Sequence, residues 1–203
     1  MSEIEMANGC AKAPRGTWLA AADQPAASLG SVRLRGQKGF VVPDRAALRV
    51  VESEGEIWLS SSDRPFLTRL DAPPDEAVAV VSAKVLVAPV ESRTGARNVR
   101  LVPFSFGRST VVTAFRGGWV VTATRGRVTR VAVEDGATFA VRPEALVAWV
   151  GKDPTGFCPK LGLMDIILPR GPKNLSFNFH GPCVVWFEGA SVPVRGIRRT
   201  GVW

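Results

Sequence analysis

The chain has no tyrosine, one histidine and three cysteines, and these shortages narrow what it can do. Metal sites built on imidazole generally use two or three histidines, whereas His180 is the only one here. An odd number of cysteines without paired spacing argues against a disulfide framework and favours a reducing compartment. We therefore expect no metal, no cofactor and no disulfide framework.

Long apolar runs are also missing. None approaches the roughly 20 residues that a membrane-spanning helix needs. The start of the chain, MSEIEMANGCAKAPRG, lacks the apolar core of a secretory signal and carries too many acidic residues for a mitochondrial transit peptide. We expect a soluble, cytoplasmic protein in which residues 1–15 form a flexible tail and residues 16–203 form a single compact body.

No assembled catalytic motif is present either. The glycines do not follow the GxxxxGK[ST] or GxGxxG spacing of phosphate-binding loops, and no serine lies in a GxSxG turn. Cys158 and Cys183 are candidate nucleophiles, but His180 is the only histidine that could activate either thiol. The favoured interpretation is that both cysteines pack in the core, so we expect no catalytic residues and no enzymatic activity.

What the chain does have is the composition of a β protein. Its 203 residues are 46% hydrophobic, with 20 glycines and 15 prolines to form many turns. Valine is abundant, and strong helix formers never accumulate at helical spacing. These features predict an all-β fold of internally repeated antiparallel strands, stacked as β-sandwich or double-stranded β-helix-like units.

A tryptophan-bearing segment recurs along the chain. Residues 16–25 (GTWLAAADQP) and 56–65 (EIWLSSSDRP) share a Trp-Leu pair, an aspartate and a proline at a constant spacing, and GGWVVT at 117–122 is similar. We interpret them as equivalent strands entered from small turns. The tryptophans are then predicted to fill the core between sheets; they are Trp18, Trp58, Trp119 and Trp186.

A second recurring segment supports this interpretation. Residues 78–90 (VAVVSAKVLVAPV) and 138–150 (TFAVRPEALVAWV) agree at five apolar positions, and residues 40–50 form a looser version. The chain then divides into about three similar β units, approximately 16–55, 56–115 and 116–203. Residues 145–150 (ALVAWV) are apolar on both faces, so that strand must be covered twice, by a second sheet or by another subunit. This pattern favours a homo-oligomer.

Positive charge is concentrated in the second half of the chain. Residues 101–203 contain 13 Lys and Arg against 6 Asp and Glu, which is +7 of the total of +8. Because the arginines are scattered through strands, the preferred interpretation is that they maintain solubility. The candidate nucleic-acid-binding cluster is Arg125, Arg127, Arg130 and Arg142.

Two segments resemble the altered-inheritance-of-mitochondria (mitochondrial biogenesis) family. Residues 175–186 (LSFNFHGPCVVW) are similar to that family's apolar strand, Gly-Pro-Gly hairpin and Val-Trp strand, although Cys183 replaces the second glycine. Residues 136–141 leading into 145–149 (ALVAW) are similar to its leucine-valine-alanine segment. The resemblance spans roughly residues 16–189, and the first unit departs from the family pattern in its register.

The resemblance implies a fold like that of the tryptophan RNA-binding attenuation protein, repeated within one chain and often assembled as a homo-oligomer. In fungi the family is associated with organisation of the mitochondrial inner membrane, and it supplies no catalytic residues to carry over. Two functions follow as hypotheses. The first is a non-enzymatic structural or scaffold protein acting through an oligomeric β surface, and the alternative is RNA, DNA or anionic-surface binding through the arginine-rich third unit.

Overall fold

A computed structural model of the chain describes residues 4–7, 9–20, 27–35, 48–100, 109–157 and 176–189. Its first strands are β1 (Glu5–Ala7), β2 (Cys10–Ala13), β3 (Gly16–Ala20), β4 (Ala27–Ser28), β5 (Val32–Arg35), β6 (Arg49–Ser53) and β7 (Ile57–Ser60). They are followed by β8 (Phe66–Ala72), β9 (Val78–Val81), β10 (Val85–Pro89), β11 (Arg93–Arg100), β12 (Ser109–Phe115) and β13 (Gly118–Thr124). The last are β14 (Val128–Val133), β15 (Thr138–Val141), β16 (Leu146–Gly151), β17 (Thr155–Phe157), β18 (Ser176–His180) and β19 (Cys183–Glu188). Single 3-10 turns lie at Ser82–Lys84 and Val90–Ser92, so the all-β prediction is confirmed.

The strands form four antiparallel sheets. Sheet A has the order β1-β2-β7-β4, sheet B β5-β6-β3-β10-β13-β8, sheet C β11-β12-β9-β16-β19-β14 and sheet D β15-β18-β17. In sheets B and C, strands that are distant in sequence lie side by side, since β10 pairs with β3 and β16 pairs with β9. Each central sheet is therefore assembled from two consecutive parts of the chain.

The four sheets are stacked in the order A, B, C, D. One apolar cluster joins A to B, a second joins B to C and a third joins C to D. Sheets A and D are outer layers with one dry face, since buried and half-buried positions alternate along β2 and β18. Sheets B and C are dry on both faces at their centres, where every residue of β9 and β10 is buried.

Strand β16 confirms that the doubly apolar segment is covered twice. Leu146 and Trp149 face the cluster shared with sheet D, whereas Val147 and Ala148 face the cluster shared with sheet B. All four side chains are at most 1% exposed. Because the chain's own sheets cover both faces, this segment does not require a second subunit, and that part of the sequence argument for an oligomer no longer holds.

The strand order repeats with a period of six strands. Adding six to each strand number of sheet B gives the order of sheet C, and adding six to the first three strands of C gives sheet D. The units begin at Gly16, Val78 and Thr138, about 60 residues apart. The similarity between residues 78–90 and 138–150 is therefore a true structural repeat.

The other expected repeat boundaries are corrected by this topology. Residues 16–20 form β3 and residues 57–60 form β7, which occupy different places in the six-strand period. The boundaries expected near residues 56 and 116 thus fall inside structural units. The Trp-Leu match arose because both segments are short buried strands with the same local requirements. Most of residues 40–50 lies outside the described residues.

The expected flexible tail is also corrected. Residues 5–7 and 10–13 form β1 and β2, and β2 pairs along its length with β7 in sheet A. Ile4, Ala11 and Ala13 belong to the apolar cluster between sheets A and B. The segment has no long apolar run, but these three isolated apolar residues are enough to give a short strand one buried face.

The tryptophans divide into core and surface positions. Trp18 and Trp119 are buried between sheets A and B with ring centroids 5.7 Å apart, as predicted for core residues. Trp186 is half-buried against the cluster between B and C. Trp58 is half-buried on β7 between the buried residues Ile57 and Leu59, so it lies on the opposite, outer face of sheet A, and its predicted core position is wrong.

Candidate functional site

The arginines predicted to form a cluster surround the carboxyl end of β19. This strand lies between β16 and β14, and two turns flank its last residues. The Glu188 amide donates to the Ala145 carbonyl at 2.8 Å, and the Gly189 amide donates to the Arg127 carbonyl at 3.0 Å. These two hydrogen bonds bring the turn before β16 and the turn before β14 to the same end of sheet C.

All four predicted arginines are exposed, but they differ in their partners. Arg125 forms an ion pair with Asp63 at 3.3 Å. Arg142 caps the turn before β16 through its carbonyl oxygen, which accepts from Leu146 at 3.1 Å. Arg127 lies beside the end of β19, and Arg130 lies three residues further along, on β14. The structure therefore brings the cluster to one edge and neutralises one of its members.

A charged junction lies under this edge, formed by Asp63, Arg64, Lys84, Arg125 and Glu188. The Lys84 Nζ donates to Glu188 Oε1 at 2.7 Å and to the Glu144 carbonyl oxygen at 2.7 Å. The other Glu188 oxygen accepts from the Arg125 amide at 2.8 Å. The Arg64 guanidinium donates to the Ala83 carbonyl. The junction thereby ties the loop after β7 and the 3-10 turn after β9 to the end of β19.

Burial sets the electrostatics of the junction. The side chains of Lys84 and Glu188 are only 9% and 13% exposed. Burial lowers the pKa of Lys84, and the hydrogen bond and charge of Glu188 partly oppose that effect. At the surface, the hydrogen bond from Ser61 lowers the pKa of Asp63, with a further contribution from Arg125. Two carboxylates among three cations make this edge less positive than the sequence indicates.

Cation-aromatic pairs recur on three strands that are six apart in the chain. The Arg130 guanidinium lies 5.9 Å from the Trp186 ring centroid, and Lys12 and Arg69 lie 5.8 Å from the rings of Trp58 and Trp119, respectively. Lys12 and Arg130 are directly opposite their tryptophans in the strand register. The exposed Arg130 beside a half-buried indole is the arrangement that stacks bases or binds anions.

His180 and Cys183 occupy structural positions. His180 is exposed at the end of β18, where Nδ1 is 3.1 Å from Thr138 Oγ1 and Nε2 is 3.4 Å from Thr155 Oγ1. Cys183 is 8% exposed in the cluster between sheets C and D, and burial raises the pKa of its thiol. A buried, protonated thiol agrees with the packing interpretation. Cys158 lies outside the described residues.

A small polar cleft lies along β3, β5 and β6. Its volume is about 240 Å³, and both acidic and basic side chains line it, among them Arg15, Arg33, Glu52 and Glu54. Ligand pockets for small organic molecules are usually larger, about 300–1,000 Å³, and mostly apolar. The cleft therefore supplies no ligand class on which to base a function.

Sequence reasoning missed Lys84 and Glu188. Lys84 interrupts the apolar segment VVSAKVLV, and Glu188 ends the apolar strand VVWFE. A single charge inside or at the end of an apolar run signals a buried ion pair, but the two residues are 104 positions apart. Only the strand order shows that they meet.

In the part of the chain that the structure describes, no three His, Cys, Asp or Glu side chains are grouped as metal ligands would be. The same residues contain no helix with the length and apolar character needed to cross a membrane.

Comparison with known proteins identifies a related fold. No protein-family model matches the chain, and no curated protein matches it. The crystal structure of protein SPYM3_0169 from Streptococcus pyogenes superimposes with a TM-score of 0.70 at 14% sequence identity, covering 93% of each chain. The similarity extends over nearly the whole length, so the stacked-sheet architecture is shared between the two proteins.

Proposed function

We propose that this protein is a non-enzymatic structural or scaffold protein that acts by assembling through its β surface. The observation that carries the proposal is the incompleteness of the two outer layers. Among the described residues, sheets B and C have six strands each, whereas sheet A has four and sheet D three. Both outer sheets end at exposed strands, and an exposed strand edge presents unpaired backbone donors and acceptors to a partner.

The central layers suit a scaffold because they are rigidly packed. Large side chains that pack between the sheets are fully buried, including Trp149, Phe115 and Phe177. The described chain contains no buried side-chain polar atom that lacks a hydrogen-bond partner. A core with complete packing and satisfied polar groups holds the outer edges in fixed positions.

Light scattering coupled to size exclusion tests this proposal. We expect a defined oligomer at micromolar concentration, with a mass that is a multiple of 21.7 kDa. A homogeneous monomer over the whole concentration range would contradict the proposed function. Because the contact is made by backbone groups, the oligomer should persist when the salt concentration is raised.

A second candidate function is binding of RNA, DNA or an anionic surface at the edge formed by Arg127 and Arg130. The pairing of Arg130 with the half-buried Trp186 favours it, because stacking and charge are offered at one place. For three phosphate contacts to a single strand, affinity should fall about 20-fold between about 50 and 200 mM salt.

Fluorescence anisotropy with a labelled single-stranded RNA tests this second candidate. The variant Arg125→Glu, Arg127→Glu and Arg130→Glu should lose binding. Its matched control changes three other exposed cations, Arg49→Glu, Arg116→Glu and Lys152→Glu, and so has the same net charge. If the control loses as much affinity as the test variant, the binding is non-specific and this candidate is wrong.

We also propose kinship with the mitochondrial biogenesis family, on the residues of 175–186 and 145–149, and a cytoplasmic location. The proposal is supported by β19, which carries Val184, Val185 and Trp186 and is paired on both edges within sheet C. Cell fractionation of the tagged chain checks the location, and recovery in the membrane pellet would contradict it.

A further inference from the structure

The strand orders of the two outer sheets correspond to the two halves of one six-stranded central sheet. Sheet D, with the order β17-β18-β15, repeats the first half of sheet C, β11-β12-β9. The strands β4-β7-β2 of sheet A repeat the second half of sheet B, β10-β13-β8. In B and C the halves join where β3 pairs with β10 and where β9 pairs with β16. By the same six-strand period, the free edge of β15 is the place where a strand equivalent to β4 would pair.

The two halves lie in different outer layers of one chain. Sheet A covers the outer face of B, and sheet D covers the outer face of C. Among the described residues, β4 pairs only with β7 and β15 pairs only with β18. A stack of this kind ends in one unfinished half-sheet on each side, and a second copy of the same chain carries the missing half.

We propose that copies of this chain assemble head to tail, with β15 of one copy pairing antiparallel with β4 of the next. The joint sheet has the order β17-β18-β15 from one copy and β4-β7-β2 from the other, which reproduces the six-stranded order of sheets B and C. This inference rests on the proposed function and names its partner, a second copy of the chain. The contact is heterologous, so it generates a ring or a filament.

The exposure of Leu29 supports the pairing. Leu29 follows β4 and is 58% exposed, which is unusual for a large apolar side chain. The positions about 60 and 120 residues further along are Pro89 and Trp149. Both are buried, and both lie at the junction between half-sheets, opposite Trp18 and Ala79. The equivalents of Leu29 in the repeat are thus covered by a neighbouring strand, whereas no strand of the described chain covers Leu29.

The distribution of charged residues on the edge strands also favours pairing between β4 and β15. Charged residues on an edge strand discourage pairing, and β1, β5, β8, β11 and β14 each carry at least one. Neither β4 with Leu29 nor β15 contains a charged residue. The remaining uncharged edge, β17, corresponds by the six-strand period to β5 and β11, which are edge strands in sheets B and C. The β4 and β15 edges are the ones left able to accept another strand.

The internal junctions predict the register. Ala148 pairs with Val80, and the residues 120 and 60 positions away from them are Ser28 and Ala140. In the pairing of β4 with β7, Ala27 lies opposite Trp58 as Ala148 lies opposite Trp186, which makes Ala27 the alternative partner of Ala140. Both partners are therefore tested. Ala27, Ser28 and Ala140 are all exposed and small, so cysteines replace them without loss of packing.

Cross-linking of mixed chains, each with one exposed engineered cysteine besides the buried Cys183, tests the proposal. Full-length chains in a Cys10→Ser, Cys158→Ser background carry either Ala140→Cys or one of Ala27→Cys and Ser28→Cys, with tags of different size. A short thiol cross-linker should join an Ala140→Cys chain to an Ala27→Cys or Ser28→Cys chain, and each variant alone should give at least tenfold less dimer. Absence of the mixed product overturns the proposal, and so does an intrachain link in the double variant without any mixed product.

A second measurement separates this interface from the proposed function. Ala140→Lys places a charge on the β15 edge and should convert the assembly to monomers, whereas Ala132→Lys, on the exposed and unpaired edge of β14, should leave the mass unchanged. An oligomer that survives Ala140→Lys and gives no mixed cross-link overturns this interface but leaves the scaffold function intact. A parent chain that is monomeric in light scattering overturns both.

Discussion

At the residue scale, the Lys84–Glu188 pair shows how a single contact connects distant parts of the chain. Its two side chains are about nine-tenths buried and make three charge-assisted hydrogen bonds, two from the ammonium group and one to the carboxylate from Arg125. Taking both charges out of water costs free energy that their attraction offsets only while both are present. The pair therefore fixes how β19 meets the 3-10 turn rather than adding net stability.

Removal of one partner should be more harmful than removal of both. We expect Glu188→Ala to reduce the free energy of unfolding by about 3 kcal/mol, because Lys84 remains buried without its carboxylate. The double variant Lys84→Met, Glu188→Leu should lie within about 1 kcal/mol of the parent. Urea denaturation measures both, and equal losses in the two variants would contradict the ion-pair explanation.

The free energy of unfolding of the Glu188→Ala variant should also depend on pH. The pKa of Lys84 is already lowered by burial, and loss of Glu188 lowers it further. The unfolded chain then holds this proton at pH values where the folded chain has released it, so the stability of Glu188→Ala rises as the pH increases towards the ordinary lysine pKa. The deficit relative to the parent should be smaller at pH 10 than at pH 7, and a deficit that grows with pH would be the wrong sign.

At the element scale, β16 shows why a doubly apolar strand belongs at the centre of a stack. Its neighbours β19 and β9 supply both edges, and sheets B and D supply the two faces. The sequence of residues 145–150 correctly predicted two covered faces. It could not indicate what covers them, since a sheet of the same chain and a second subunit present the same apolar surface.

Substitutions on opposite faces of β16 should therefore be similarly costly. We expect Leu146→Ala to reduce the free energy of unfolding by about 3 kcal/mol and Val147→Ala by about 2 kcal/mol, because each leaves a cavity between closely packed sheets. Thr129→Ala on the exposed surface of β14 is the control and should change stability by less than about 0.5 kcal/mol. Tolerance of either core substitution in thermal or chemical denaturation would show that one face is not closely packed.

At the scale of the whole molecule, the six-strand period means that each sheet needs two successive units. The beginning of the chain takes part in this plan, because β2 occupies the place in sheet A that β8 occupies in B and β14 in C. The residues expected to be a tail thus complete an outer layer. Loss of that layer would leave the outer face of sheet B exposed to water.

Truncation tests this role. A chain lacking residues 1–13 loses Ile4, Ala11 and Ala13 from the apolar cluster and loses the partner of β7. We expect its melting temperature to fall by at least about 10 °C, which corresponds to roughly 3–5 kcal/mol for a chain of this size. Met6→Ser, at a position that is 42% exposed, is the control and should shift it by less than about 2 °C. An unchanged melting temperature after truncation would restore the view of this segment as a tail.

The amino-acid sequence by itself determined the fold class, the existence of a repeat and the burial of its apolar strands. These properties follow from local periodicity, from turn residues and from the similarity of residues 78–90 to 138–150. All of these are patterns among residues that are close together in the chain. The tertiary structure alone decided the true period, the place of residues 5–13, the pairing of Lys84 with Glu188 and the cover on β16. Each of these depends on which distant strands become neighbours in a sheet, and short apolar strands are too alike in sequence to select their own partners.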